Sequence, residues 1–229
     1  MLRLGIKYNM DALRQNAMDR LQWYFPTRFV EFVNFHARKS NERADECTNA
    51  QVFHQDAVHI GAEAAIAVIV IARSHDLPML LPAAFYIAAQ LSHMDMVQGY
   101  TDDDGKRWTL STDDVVACLD GRKALQNRSV DQLDFLFSAQ PSPTCSPDSN
   151  CQDDLYDFRS FLIDAATLAG HTNPLSSRER ERTVVTSLCP ECKSHFDRQF
   201  ARTCEDIWRS PPVMFGFSGF KWPIEDLEA

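Results

Sequence analysis

The chain of 229 residues is poor in positive charge and has no long apolar run. Its 23 lysines and arginines are outnumbered by 32 aspartates and glutamates, which gives a formal net charge of −9. Because nucleic-acid binding requires a basic face that contacts phosphates, this balance argues against a nucleic-acid partner. The longest apolar run, Ala64–Ala72, has nine residues, whereas a membrane span needs about 18. We therefore expect neither a nucleic-acid partner nor a membrane span.

The N-terminus, MLRLGIKYNM, lacks the layout of a signal peptide, and we expect a soluble intracellular protein, in the cytoplasm or the nucleus. Seven cysteines are an odd and modest number for this length, which argues against a disulfide scaffold. The composition, 45% hydrophobic and 24% charged residues, is typical of a folded protein. The length suits one compact domain, or one domain with an accessory piece.

The common catalytic signatures are also missing. The sequence contains no G-x-S-x-G, no glycine-rich phosphate loop, no H-E-x-x-H and no G-x-G-x-x-G, so we expect no enzymatic activity. An enzyme of unrecognised type, using His75-Asp76 or His93-x-Asp95, is kept as a third hypothesis. The acidic run Asp102–Gly105 lacks the alternating ligands and the downstream glutamate of a calcium loop, and we interpret it as a turn within a loop that runs from Val97 to Arg107.

Apolar residues recur at helical spacing along most of the chain, and no convincing run alternates as a strand does. The first predicted helix covers 2–23, with a break at Asn9–Asp11. Further helices are predicted at 28–38, 57–73, 79–91, 111–137, 153–169, 176–188 and 192–209. In the helix at 111–137, we expect the Ser111 hydroxyl to accept a backbone N–H of the first turn, Gly121 to interrupt the helix, and the chain to continue as helix or turn from Val130. The pattern predicts an all-α fold, an irregular multi-helix domain. Its predicted core consists of Leu13, Leu21, Ile66, Val70, Leu80, Leu81, Phe85, Leu119, Phe158, Leu162 and Trp208.

Two segments lie outside this helical pattern. Residues 138–150 form a loop rich in proline and serine. The chain ends in an aromatic tail that includes Phe215, Phe217, Phe220 and Trp222. So much apolar area is not left in water. Either the tail folds back over the helices and completes the core, or part of it binds a partner.

Four of the cysteines have a spacing that suggests a zinc site. Cys189 and Cys192 form a C-x-x-C pair, which offers two ligands from one local turn, and Cys145 and Cys151 lie in and beside the Pro/Ser loop. A structural Zn²⁺ needs four ligands, which these thiols can supply. The ion would fasten the loop to a helix. The first pair has five intervening residues instead of two to four, and His195 is an alternative fourth ligand.

Other interpretations of the cysteines stay open at this point. All seven can be simple packed or exposed thiols. A redox role for the C-x-x-C pair would require a preceding strand in a βαβ unit, which the pattern does not suggest. Cys47, Cys118 and Cys204 have no evident partner in sequence, and the apolar surroundings of Cys118 suit a core thiol.

Three segments of the chain together resemble one family. The first, Leu2-Arg3-Leu4-Gly5-x-Lys7-Tyr8 with Leu13 and Ala17, resembles the closing helices of a BTB/POZ domain. The second, Ala72–Tyr86, resembles the helical region that follows BTB in many fungal, chiefly basidiomycete, proteins. The third comprises Leu188-Cys189-x-x-Cys192, Ile207-Trp208, Pro211-Pro212, Phe215-Gly216-Phe217 and Trp222. In order, these segments cover nearly the whole chain.

The resemblance implies a remnant of the last BTB helices at 1–25 and a BTB-associated helical domain at 26–229. It implies a non-catalytic protein–protein interaction or scaffold protein with a protein partner whose identity stays open. BTB domains generally dimerise or bind partners, some of them cullin ubiquitin ligases. The elements of the usual dimer face precede the part that is resembled, so dimerisation and cullin binding are not carried over and the oligomeric state stays open.

Overall fold

The computed structural model of the protein describes residues 2–34, 61–146, 148–164, 173–175, 187–217, 219 and 222. Two compact units divide the chain. The first unit comprises residues 1–118 and 211–229, and the second comprises residues 119–210. The second unit is therefore inserted between two parts of the first. The family-based boundary between residues 25 and 26 stays a prediction.

The first unit begins with two helices, α1 (Leu2–Lys7) and α2 (Asp11–Tyr24), which pack on each other. The predicted break is confirmed, and it lies at Asn9, whose φ of 52° interrupts the helix. At this break a Cβ on Gly5 would lie 2.8 Å from the backbone nitrogen of Arg14, so only glycine lets the two helices approach so closely. Residues 29–34 are helical, within the predicted 28–38.

The core of the first unit forms around α3 (Ala64–Ser74) and α4 (Leu81–Ala88), which pack on each other and are joined by a 3₁₀ turn at Pro78–Leu80. Ile66, Leu80 and Phe85 are fully buried, as predicted. Pro82 lies in the first turn of α4, where its missing N–H has no helical partner to lose. The helix predicted at 57–73 begins only at Ala64 among the described residues, and 57–60 lie outside them.

A short helix and a small hairpin occupy the segment that we predicted as a loop from Val97 to Arg107. Helix α5 (His93–Gln98) is followed by strands β1 (Tyr100–Thr101) and β2 (Arg107–Trp108), which pair antiparallel with Tyr100 opposite Trp108. The hairpin turn is the acidic run Asp102–Gly105. The carboxylate of Asp102 accepts hydrogen bonds from the Lys106 backbone and the Trp108 indole, so the interpretation as a turn is confirmed. Each strand has only two residues, too few to produce an alternating pattern.

Helix α6 (Thr112–Ser138) is one continuous helix of 27 residues, and the interruption predicted at Gly121 was wrong. Ser111 is its N-cap, as predicted, since the Ser111 hydroxyl accepts the backbone N–H of Asp114 at 3.1 Å. The predicted burial of Leu119 was also wrong, because this side chain is 38% exposed. The buried face of the helix consists instead of Asp114, Cys118, Gly121 and Leu125, spaced four, three and four residues apart.

The second unit contains most of α6, then α7 (Cys151–Asp164) and α8 (Pro190–Arg209). Helices were predicted at 153–169 and 192–209, so each begins two residues earlier than expected. Trp208, near the end of α8, is fully buried as predicted. Residues 165–172, the helix predicted at 176–188 except its last two residues, and the side chains of Phe158 and Leu162 lie outside what the structure describes.

The chain returns to the first unit at the short helix α9 (Pro211–Met214), which contacts α4, and the aromatic tail follows. The ring of Phe85 lies 5.5 Å from that of Phe215 and 4.9 Å from that of Phe217, measured between centroids. Of the two alternatives for the tail, packing onto the helices is confirmed for Phe215 and Phe217. The guanidinium of Arg73 lies 5.4 Å from the Phe217 ring and forms an ion pair of 3.0 Å with Asp114.

Candidate metal centre

Cys145 lies in the Pro/Ser loop, which two successive tight turns fold onto itself. The backbone N–H of Cys145 donates to the carbonyl of Ser142, and that of Ser149 donates to the carbonyl of Ser146. These turns shorten the path from Cys145 to Cys151. The five intervening residues, which departed from the usual ligand spacing, therefore do not keep the two sulfurs apart. The Cys145 sulfur is partly exposed and lies 3.0 Å from the hydroxyl of Ser149.

Cys151 is the first residue of α7 and is only 1% exposed. Leu155, one turn further along the helix, is also buried, so the two side chains share the face that packs into the second unit.

The C-x-x-C pair opens α8. Cys189 is the N-cap residue of this helix, Pro190 is its first residue, and Cys192 lies in its first turn. A local turn of this kind presents two sulfurs on the same side. Cys192 is 2% exposed and Phe196, one turn later, is buried with it, whereas the Cys189 sulfur is partly exposed.

The four predicted sulfurs converge. The Sγ atoms of Cys145, Cys151, Cys189 and Cys192 all lie within 4.8 Å of one another, and those of Cys145 and Cys189 are 4.0 Å apart. Four sulfurs around a tetrahedral Zn²⁺ at 2.3 Å are separated by about 3.8 Å. The widest pair would therefore close by about 1 Å around an ion. None of the four forms a disulfide.

Backbone N–H groups point at the sulfurs from distant parts of the chain. The N–H of Ser142 donates to the Sγ of Cys192 at 3.2 Å, across 50 residues. The N–H of Cys189 donates to the Sγ of Cys151 at 3.1 Å, across 38 residues. Hydrogen bonds from fixed N–H donors stabilise the anionic form of a sulfur, which is the form that binds a metal. The Pro/Ser loop and the first turns of α7 and α8 thus surround sulfurs that are negatively charged thiolates when they bind a cation.

The two cysteines of the C-x-x-C pair differ in acidity. The backbone N–H of Cys192, which donates to the Cys189 sulfur, lowers the pKa of Cys189 to about 7 against the opposing effect of desolvation. Burial raises the pKa of Cys192 to about 12. Without a metal, Cys189 is therefore the readier thiolate of the pair, and Cys192 stays protonated until a cation displaces its proton.

An apolar shell encloses one side of the sulfurs. The buried members of this cluster are Ala139, Cys151, Leu155, Leu188, Cys192 and Phe196, with Phe200 packed against it. The rings of Phe196 and Phe200 are nearly parallel, at an interplanar angle of 6°. The sulfurs thus belong to the core of the second unit. The exposed fraction of Cys145 and Cys189 marks the side that faces solvent.

The remaining sequence candidates for metal ligands lie outside this group. A ring nitrogen of His195 lies 2.9 Å from the side-chain amide nitrogen of Gln199, one turn further along α8. Because the four thiols come together without His195, the histidine is not needed as a fourth ligand. Cys118 is fully buried, as predicted for a core thiol, and burial raises its pKa to about 12. Cys204 is buried and is not among the four sulfurs. Cys47 lies outside the described residues.

The residues of the enzyme hypothesis are placed in two different settings. His75 lines a small cavity of about 180 Å³ together with Lys106, Arg107 and Trp108, whereas Asp76 does not line it. Asp95 lies in the first turn of α5, where its carboxylate accepts a hydrogen bond from the Ser92 hydroxyl that caps the helix. These contacts account for the local structure, and an enzymatic activity stays a hypothesis.

Comparisons with known proteins add no family: the chain matches no family model, no curated protein and no solved structure. The BTB/POZ resemblance therefore stays a prediction. Within the described residues, none of the helices combines the length and apolar character that a membrane crossing requires.

Proposed function

We propose that the second unit is a structural zinc module in which Cys145, Cys151, Cys189 and Cys192 bind one Zn²⁺. The observation that carries this proposal is the convergence of four sulfurs from three chain segments to within 4.8 Å. A closed set of four thiolates leaves no position for water or substrate, which is the arrangement of structural and not of catalytic zinc. Thiolate ligands select zinc or iron over magnesium and calcium.

The second unit has a small apolar core, and a bound ion would add stability that this core does not supply. The apolar cluster around the sulfurs has six buried members, of which three are alanine or cysteine. A metal held by thiolates contributes folding energy directly, since the ligands are brought together only in the folded state. The proposed role is therefore to fix the loop 139–150 and the starts of α7 and α8 in one arrangement.

The test is elemental analysis of the protein purified without chelator. We expect one zinc per chain and less than a tenth of that amount of iron. The variant Cys192→Ser removes a buried ligand and should lose the zinc. The matched control Cys118→Ala removes an equally buried thiol outside the group and should keep it. A metal-free native chain, or equal zinc in the two variants, contradicts the proposal.

A second function concerns the N-terminal helices. We propose that the chain is a non-catalytic protein–protein interaction or scaffold protein of the BTB-associated type. Large apolar side chains on α1, α2 and their junction support this, since Leu4 is 53%, Tyr8 61% and Trp23 53% exposed. A protein partner would cover apolar area of this kind, which is the area that interaction sites use.

Affinity capture with variants tests this second function. We expect a defined protein to be retained by the native chain and lost with Leu4→Glu. The control Asn16→Glu places the same charge at an exposed position of α2 and should retain the partner. Capture that is equal for both variants, or the absence of any defined partner, contradicts this function.

A further inference from the structure

The four sulfurs fall into two classes by exposure. Cys151 and Cys192 are 1% and 2% exposed, whereas Cys145 and Cys189 are partly exposed. A reagent that arrives from solvent therefore meets Cys145 and Cys189 first. The same two sulfurs are 4.0 Å apart, about 2 Å more than the length of an S–S bond.

We propose that Cys145 and Cys189 are a disulfide-forming modification site through which a peroxide releases the zinc. This inference rests on the proposed zinc site. The Cys145 sulfur contacts the Cys189 sulfur itself, and within its own loop it contacts the hydroxyl of Ser149 and the carbonyl of Ser146. A movement of the Cys145 side chain toward Cys189 therefore gives up loop contacts only, while Ser142 keeps its hydrogen bond to the buried Cys192.

The buried sulfurs are held in place by other parts of the chain. Cys192 accepts the N–H of Ser142 and Cys151 accepts the N–H of Cys189. A disulfide within the C-x-x-C pair would require Cys192 to leave the apolar cluster and break its bond to Ser142. The oxidised pair therefore joins the loop to α8 and does not lie within the C-x-x-C turn, in contrast to a thioredoxin-like use of that motif.

The oxidation balances with hydrogen peroxide as the oxidant. One thiolate sulfur attacks a peroxide oxygen, the O–O bond breaks, and the departing hydroxide takes a proton to become water. The sulfenic acid that results is attacked by the second thiolate, which forms the S–S bond and expels the second oxygen as water after protonation. Two thiolates thus lose two electrons and one peroxide gains them, with two protons consumed. Zn²⁺ is left with two thiolate ligands and dissociates.

The experiment uses the full native chain and begins with its zinc content. Zinc-loaded protein is treated with equimolar hydrogen peroxide, released zinc is measured with a chromogenic chelator, and disulfides are mapped by mass spectrometry of a non-reduced digest. We expect one zinc released for each Cys145–Cys189 disulfide formed, with recovery after reduction and addition of zinc. A disulfide between any other pair, or zinc release without a disulfide, overturns the proposal.

Two variants separate this inference from the zinc site itself. Cys145→Asp keeps an oxygen ligand for zinc but cannot form the disulfide, so peroxide should release its zinc at least about tenfold more slowly. Asn150→Asp places a carboxylate at an exposed position of the same loop and should release zinc at the native rate. Equal release from both variants overturns the inference. If Cys145→Asp does not bind zinc, disulfide mapping of the native chain still identifies which two cysteines are oxidised, and this tests the inference.

The two proposals can fail separately. A native chain that contains no zinc contradicts the structural zinc module, whichever disulfide forms. A native chain with one zinc that resists peroxide, or that is oxidised at Cys151 or Cys192, keeps the zinc module and contradicts the modification site.

Discussion

Removal of the proposed zinc should loosen the second unit locally, and backbone amides there can measure the effect. The N–H groups of Ser142 and Cys189 donate to cluster sulfurs, and those of Cys145 and Lys193 close the adjoining turns. Each of these four hydrogen bonds depends on the arrangement of loop and helices that the ion would hold in place. When a chelator strips the zinc, these amides should exchange with solvent far faster.

The magnitude follows from linkage between binding and folding. Zinc at 1,000 times its dissociation constant stabilises the bound state by about 4 kcal/mol. Since a local opening that releases the ion must overcome this free energy, removal should speed amide exchange by about 1,000-fold.

Hydrogen exchange followed by mass spectrometry is the assay. Peptides from 139–155 and 187–200 should lose protection on chelation and regain it with zinc but not with magnesium. A reference peptide from 64–88 reports on the first unit, whose core contains none of the four sulfurs. Unchanged exchange in the two cluster peptides refutes the reasoning, as does an increase of equal size in the reference peptide.

The remaining expectations concern Cys189, the Arg73–Asp114 ion pair and Gly99. In metal-free protein, the alkylation rate of Cys189 should rise about tenfold from pH 6 to 8 and then level, since its pKa is about 7, while Cys192, at about 12, stays unlabelled. Asp114→Ala removes the ion pair of a buried carboxylate and should lower the free energy of unfolding in urea by about 2 kcal/mol. Gly99→Ala places a Cβ against the backbone of the facing strand at a φ of 84°, and should cost at least about 2 kcal/mol in the same assay.

Each of these measurements has an internal comparison. An ordinary thiol with a pKa near 9 would be labelled about 90-fold faster at pH 8 than at pH 6, so a rise of that size for Cys189 contradicts its lowered pKa. Asp113→Ala, next to Asp114 but exposed, should cost less than about 1 kcal/mol. Gly105→Ala meets no neighbouring atom at its similar φ, and a loss equal to that of Gly99→Ala would contradict the role given to the close contact.

The helices and the sulfur cluster were predictable because local chemistry decides them. Ser111 was identified from the capping preference of a hydroxyl before acidic residues, and the break near Asn9 from the polar interruption of an apolar stripe. The C-x-x-C pair indicated a ligand set because one turn places both sulfurs together. Such features depend on residues within one or two helical turns of each other.

The errors occurred where tertiary contacts decide. Leu119 was assigned to the core because it is apolar, yet the inner face of α6 carries Asp114 and Gly121. Asp114 is buried because Arg73, 41 residues away, pairs with it. A glycine inside a helix costs only about 1 kcal/mol, which packing can offset, so Gly121 does not end α6.

No sequence signal indicated the N–H of Ser142 as a partner of the Cys192 sulfur. The two residues are 50 positions apart, and backbone donors carry no side-chain signature. The turns that bring Cys145 close to Cys151 were equally hidden, since the loop composition indicates turns without fixing their direction.

The insertion of the second unit within the first has a consequence for biosynthesis. Phe85 packs against Phe215 and Phe217, which leave the ribosome about 130 residues later than Phe85 itself. All four cysteines of the sulfur cluster emerge before those rings do. The inserted unit can thus bind the proposed zinc on the nascent chain before the first unit is able to complete its core.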